Sequence, residues 1–161
     1  MSGFKLSNIV LRVDMHAADH PEIYYRVISG EAVYSESSSA LRIKGDVDFL
    51  TYVNACSVCK WRQYAQIDNL KLSLTLKGSG RVVLRGVPVD SDEPKILSYH
   101  SFDFEDISDF SVPVEVDKFD LVGFSIISEG ASTVDVFAGS FSTCVDESAV
   151  NDVRIALCTT T

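Results

Sequence analysis

Residues 70–84 read LKLSLTLKGSGRVVL. Leu70, Leu72, Leu74 and Leu76 fall on every second position, with Lys71, Ser73, Thr75 and Lys77 between them. A period of two sends one set of side chains to each face of a pleated strand, whereas a helix would scatter the leucines around its circumference. One face of this strand is therefore core and the other is wet. Gly78-Ser79-Gly80 follows, and then the apolar run Val82-Val83-Leu84. Glycines that accept positive φ between two apolar runs predict a β-hairpin turning at this point.

Working outward, comparable runs recur at 9–13, 23–28, 41–43, 96–104, 121–127 and 134–141, each bounded by Gly, Pro, Asp or Ser. The window 49–64 carries the one weak helical stripe, with a helical turn expected around Ser57 to Arg62. Between Glu93 and Asp120 aromatic residues alternate with acids, as in Phe102, Asp103, Phe104 and Glu105. A strand with its phenylalanines turned inward and its carboxylates in water accounts for that segment. The sharper alternative is a structural calcium site built from Asp103, Glu105, Asp106 and Asp109, since carboxylate oxygens are the ligands Ca²⁺ prefers. Evenly spaced strands without intervening helices imply an all-β chain, an antiparallel jelly-roll-like β-sandwich.

With 161 residues the chain is large enough to bury roughly 68–70% of its unfolded surface in a single core. Nearly half of it is hydrophobic, which rules out bulk disorder. A net charge of -9 repels phosphate backbones and anionic headgroups, so neither nucleic acid nor a bare membrane is an expected partner. No segment approaches the roughly 20 apolar residues of a membrane-spanning helix, and the start, MSGFKLSNIVLRVD, lacks the regions of a signal peptide. The expected location is the cytoplasm. Cys56, Cys59, Cys144 and Cys158 then read as packed thiols, because the cytosol keeps cysteines reduced. Cys56 and Cys59 form a lone CxxC, short of the paired ligands a structural zinc needs, and their flanks do not give the βαβ setting of a redox pair.

The end of the chain changes character. After Asp146 the sequence becomes linker-like (DESAVND), and then Val153 to Cys158 form a new apolar run leading into Thr159-Thr160-Thr161. A buried strand that ends in small hydroxyl residues is how nucleotide-binding α/β domains open. The organisation expected is a β-sandwich over 1–145, a linker over 146–152, and the first strand of a truncated catalytic domain over 153–161.

Thr51-Tyr52-Val53-Asn54-Ala55, followed by Trp61-Arg62 and by the alternating Leu70 to Leu76 strand with its Gly-Ser-Gly-Arg segment, resembles the N-terminal β-sandwich of bacterial galactofuranosyltransferase-like glycosyltransferases. The aromatic that follows the Asn-Ala pair in that family is Cys56 here. The resemblance implies a carbohydrate-binding-module-like jelly roll ahead of an inverting nucleotide-sugar transferase domain. That domain's first strand is similar to VRIALCTTT at 153–161, which would place Thr159, Thr160 and Thr161 near the nucleotide-sugar donor in the full-length parent. The acidic motif for a divalent metal and the catalytic base would lie beyond Thr161. By this reading the present chain has no catalytic residue, no cofactor and no metal of its own.

The candidate carbohydrate-binding residues are Tyr52, Asn54, Trp61, Arg62 and Tyr64. A flat aromatic ring stacks on the apolar face of a sugar while polar neighbours hold its hydroxyls. The competing reading is packing, because tryptophan is highly buried on average. In that case Trp61→Ala would cost roughly 3–5 kcal/mol of stability; in the other it would cost affinity for glycan. His16 and His20 precede Pro21 in a loop-like stretch, His100 stands alone in a strand, and no HxH pair suggests a cupin metal site. Neither GxSxG nor a phosphate-binding glycine loop occurs. The function expected is that of an accessory domain in a glycosyltransferase for cell-envelope polysaccharide. It would bind or steer the glycan acceptor beside its own C-terminal transferase domain, or mediate homo-oligomer assembly, and the parent would work in the cytoplasm or peripherally at the inner face of the membrane. The alternative is a free-standing lectin-like module or a ligand-free interaction domain.

Overall fold

The computed structural model describes residues 6–13, 25–54, 70–88, 93, 95–114 and 119–146. They form seven strands and no helix: β1 (Leu6–Val13), β2 (Tyr25–Ser35), β3 (Ala40–Asn54), β4 (Lys71–Pro88), β5 (Lys95–Pro113), β6 (Phe119–Ser128) and β7 (Val134–Asp146). Every pairing among them is antiparallel. The all-β antiparallel sandwich expected from the period-two pattern is what the chain forms.

The expected hairpin at Gly78-Ser79-Gly80 is not present. These residues lie inside β4, one strand of 18 residues. Along one edge β4 pairs with β5 from Lys71 to Gly86. On its other edge it pairs with β7 as far as Gly78 and with β6 from Gly80 onward. The glycines thus mark a bend at which the strand passes from one layer to the other. Gly78 has a φ of 115°, and a Cβ there would collide with the carbonyl of Thr133. Glycine meets both demands, a backbone angle other residues avoid and a close approach by a neighbouring chain.

β3 bends in the same way. Leu41 to Ile43 pair with β7, and Asp46 to Asn54 pair with β6. Gly45 lies between, with a φ of 115° and with no room for a Cβ beside the Ser29 carbonyl. Its N–H falls in the gap between the two ladders and donates instead to Ser128 Oγ at 2.7 Å. β7, β3, β6 and β4 therefore close into a ring, to which β1, β2 and β5 add outer strands.

Leu70, Leu72, Leu74 and Leu76 are all buried, as their spacing requires. Even-numbered residues continue inward past the bend at Val82 and Leu84, so the two layers share one core with Val47, Phe49, Val122, Phe124, Ile126, Val136 and Phe141. Phe49 stacks on Phe124 with centroids 4.7 Å apart, and Phe124 meets Phe141 edge-on at 5.8 Å, joining the β6 layer to the β7 layer. On β5, Phe102 is buried and clusters with Phe104 and Phe110, while Asp103 and Glu105 remain exposed, as the alternation of aromatics and acids implied.

Candidate functional site

Tyr52 and Asn54 end β3, where Val53 pairs with Val122 and Asn54 with Leu121. Their side chains, together with Trp61, Arg62 and Tyr64, lie outside the described residues. So do Cys56, Cys59, Cys158, His16, His20, the 153–161 run with Thr159, Thr160 and Thr161, and all but the first residue of the 146–152 linker. Cys144 sits half-buried on β7.

The described residues assemble a different surface. β1, β7, β4 and β5 run side by side, and their registers bring Arg12, Ser140, Ser73 and Ser111 into one row on the outer face. The adjoining row holds Ala138, Thr75 and Asp109. Side chains directly opposite on one face of a sheet are neighbours, so four hydroxyl groups converge here. Because the residues are small, they leave a trough of about 490 Å³ along the sheet, floored by Leu74 and Gly139 and flanked by Val10. Thr75 Oγ1 donates to Asp109 Oδ1 at 3.0 Å and fixes that carboxylate. Arg12 is exposed, and none of the ion pairs among the described residues involves it.

A second hollow, about 380 Å³, lies between the β2–β3 turn and the start of β7. There Arg42 grips Asp135 with both ends of its fork, Nε to Oδ1 at 2.8 Å and Nη2 to Oδ2 at 3.2 Å. The hydrogen bonds that it donates to Asp135 hold the Arg42 guanidinium above its ordinary range, and the pair satisfies itself.

The outer face of the other layer carries charge of a different kind. Asp48 is buried, accepts a hydrogen bond from Ser125 Oγ at 3.2 Å and faces Arg26 Nη2 at 3.5 Å. Burial pushes its carboxyl above the usual carboxylate range, with Ser125, Arg85 and Arg26 pulling it back and Asp46 adding to the rise. Arg85 reaches from β4 over β6 to Asp46 on β3, at 4.0 Å. Arg85 Nε and Asp46 Oδ1 are buried and have no hydrogen-bond partner among the described residues.

Asp103 and Asp109 are each taken by a hydroxyl across the β4–β5 ladder, Ser79 at 2.5 Å and Thr75 at 3.0 Å. Among the described residues no group of three or more His, Cys, Asp or Glu side chains is placed to hold a metal ion. His100 is tied to Ser98 Oγ at 2.8 Å. No helix among the described residues is long and apolar enough to cross a membrane. The chemistry available in the trough is hydrogen bonding, a fixed acceptor at one side and a fork of donors at the other.

No curated protein matches the chain. Among solved structures it is similar to the family 11 carbohydrate-binding module of the cellulosomal cellulase Lic26A-Cel5E of Clostridium thermocellum, at 9% identity and a TM-score of 0.41, over 86% of this chain and 88% of that one. The family model described as galactofuranosyltransferase 2 N-terminal matches residues 6–126, well over half of the sequence and all of β1 to β5. The chain therefore belongs to the galactofuranosyltransferase 2 N-terminal family.

Proposed function

We propose that this chain is a non-catalytic accessory domain that binds a glycan acceptor and steers it toward a transferase domain in the same parent protein, in the synthesis of cell-envelope polysaccharide. The observation that carries this reading is the trough. Three strands align hydroxyl groups in a row, with Arg12 of β1 at one end and Asp109 of β5 at the other, and Arg12, Ser111 and Asp109 are exposed. Sugar sites combine a concave surface with a few polar groups that fix orientation, and the trough supplies both. The family supports the setting, since its members stand at the N-terminus of a galactofuranosyltransferase.

Isothermal titration of the chain with oligogalactofuranosides and other envelope-type glycans tests the reading. Dissociation constants near the millimolar level, about 4 kcal/mol of binding, are expected for an isolated sugar site. Absence of heat with every glycan, with a stable oligomer in light scattering, would replace the binding role by an assembly role.

A further inference from the structure

Among the described residues β1 pairs only with β7, β2 only with β3 and β5 only with β4, so each of the three ends a sheet. An outermost strand offers its N–H and C=O groups to any chain that comes alongside, and charged side chains are a usual guard against it. β5 is guarded, with Lys95 set against Asp103, Glu105, Asp106 and Asp109. β1 carries Arg12 with no charge of opposite sign on the strand to meet it in a second copy. β2, YRVISGEAVYS, is different: Arg26 and Glu31 are its charged residues and they cancel, in a chain of net charge -9. Two copies that repel as whole molecules can approach through this neutral strand at the least electrostatic cost. Arg26 to Glu31 are six consecutive exposed positions, and Val27 and Ile28 within them are 41% and 46% exposed. A strand that packs on one face hides every second residue; here both faces are open, apolar residues included, which is the mark of a strand that associates.

The two charges are also placed to meet. Residues five apart on a regular strand point to opposite faces. The bulge between Val27 and Ser29 changes that parity, so Arg26 stands opposite Asp48 and Glu31 opposite Lys44, on one face of β3. Val27, opposite Val47, and Gly30, opposite Gly45, share the other face. We propose that β2 is the contact strand of a two-fold symmetric dimer, in which β2 of a second copy pairs with it antiparallel about a point between Ile28 and Ser29. Each Arg26 then faces Glu31 of the other copy, and each Val27 lies over the other copy's Gly30, which has no Cβ to obstruct it. The symmetry closes the assembly at two copies. β2 lines no part of the trough, so both troughs stay open. On the reading of the trough as a glycan site, such a dimer holds one polymer at two points.

The test is sedimentation equilibrium of the whole chain at rising concentration, up to about 1 mM, because a contact this short is smaller than a standard interface and correspondingly weak. The mass of the native chain is expected to rise toward that of two copies. Glu31→Arg and Arg26→Glu each set like charges against one another at both ends of the contact, and each is expected to weaken association at least about ten-fold. Mixed in equal amounts, the two variants again present opposite charges at both ends, and the mixture is expected to recover the native mass curve. Arg26 also faces Asp48; should Arg26→Glu lose its fold, Glu31→Arg and Ile28→Lys, both at exposed positions, carry the test, each with thermal unfolding unchanged and dimer lost. A native chain that stays monomeric throughout overturns the dimer. Association indifferent to every one of these substitutions overturns β2 as its site. Weakening by both folded charge variants without recovery in their mixture overturns the antiparallel pairing of Arg26 with Glu31. None of these outcomes alters the glycan titration, so the two readings fail separately.

Discussion

Ser128 sits where β6 ends, and its hydroxyl takes up the Gly45 N–H that the β3 ladder leaves behind as it changes partner. Ser128 is buried and Gly45 half-buried, so Ser128→Ala leaves a partly shielded donor unpaired and is expected to cost about 0.5–1.5 kcal/mol in urea unfolding; a loss below a few tenths would show that the contact is incidental. Asp48 makes a prediction of opposite tone. Its folded carboxyl holds a proton more tightly than an unfolded one, chiefly through burial. It therefore adds stability that is fully present at pH values below the ordinary aspartate range, near 3.9, and is lost as pH rises through the higher folded value. Asp48→Asn keeps an acceptor for Ser125 and does not titrate. Measured over a pH series, the stability of the variant relative to the native chain should climb across that window, and a constant difference would contradict the assignment. At this scale the sequence told half the story. Ser73 and Thr75 were legible as wet positions of an alternating strand, but Ser111, Ser140 and Arg12 join them only through pairings between distant strands, which no local pattern encodes. The aromatic candidates from Tyr52 to Tyr64 suggested themselves because they are close in sequence, and their side chains lie outside the described residues.

β4 shows how an element can be read correctly in its faces and wrongly in its length. Gly-Ser-Gly between apolar runs carries the same local signature in a turn and in a bend, since both need a residue that tolerates positive φ. The parity was the signal that separated them. Leu76, Gly78, Gly80 and Val82 are all even-numbered, so the inward face continues through the glycines without interruption. Gly78→Ala combines strained backbone with collision against the Thr133 carbonyl; the strain alone is worth roughly 1–3 kcal/mol, and a loss at or above that range is expected. Leu74→Ala, on the same strand and nearly inaccessible, is expected to cost about 2–5 kcal/mol through lost burial and the cavity left behind. Chemical denaturation of the two variants compares bend with core directly. If Gly78→Ala were tolerated without loss, the corner would have to be able to repack around a side chain.

On the scale of the molecule, the two outer faces differ in chemistry. One presents a trough of small hydroxyl residues beside the exposed Arg12, and the other encloses Asp48 and Ser125 beneath a lattice of charged neighbours. The glycan titration and the pH series consequently report on different surfaces, and substitutions in one set should leave the other readout unchanged, as expected for sites without shared partners. The sandwich class followed from the number and spacing of alternating runs. The closure into a ring did not, because β7 meets β3 and β4 across long sequence separations.

That closure has a kinetic meaning. In a sandwich of two independent sheets, one leaf can peel away while the other stays intact, but here β3 and β4 are threaded through both leaves like stitches through two plies of cloth. Neither ply can loosen alone, so amides on both sides of the Gly78 bend should exchange with deuterium together, at the rate set by opening of the entire molecule.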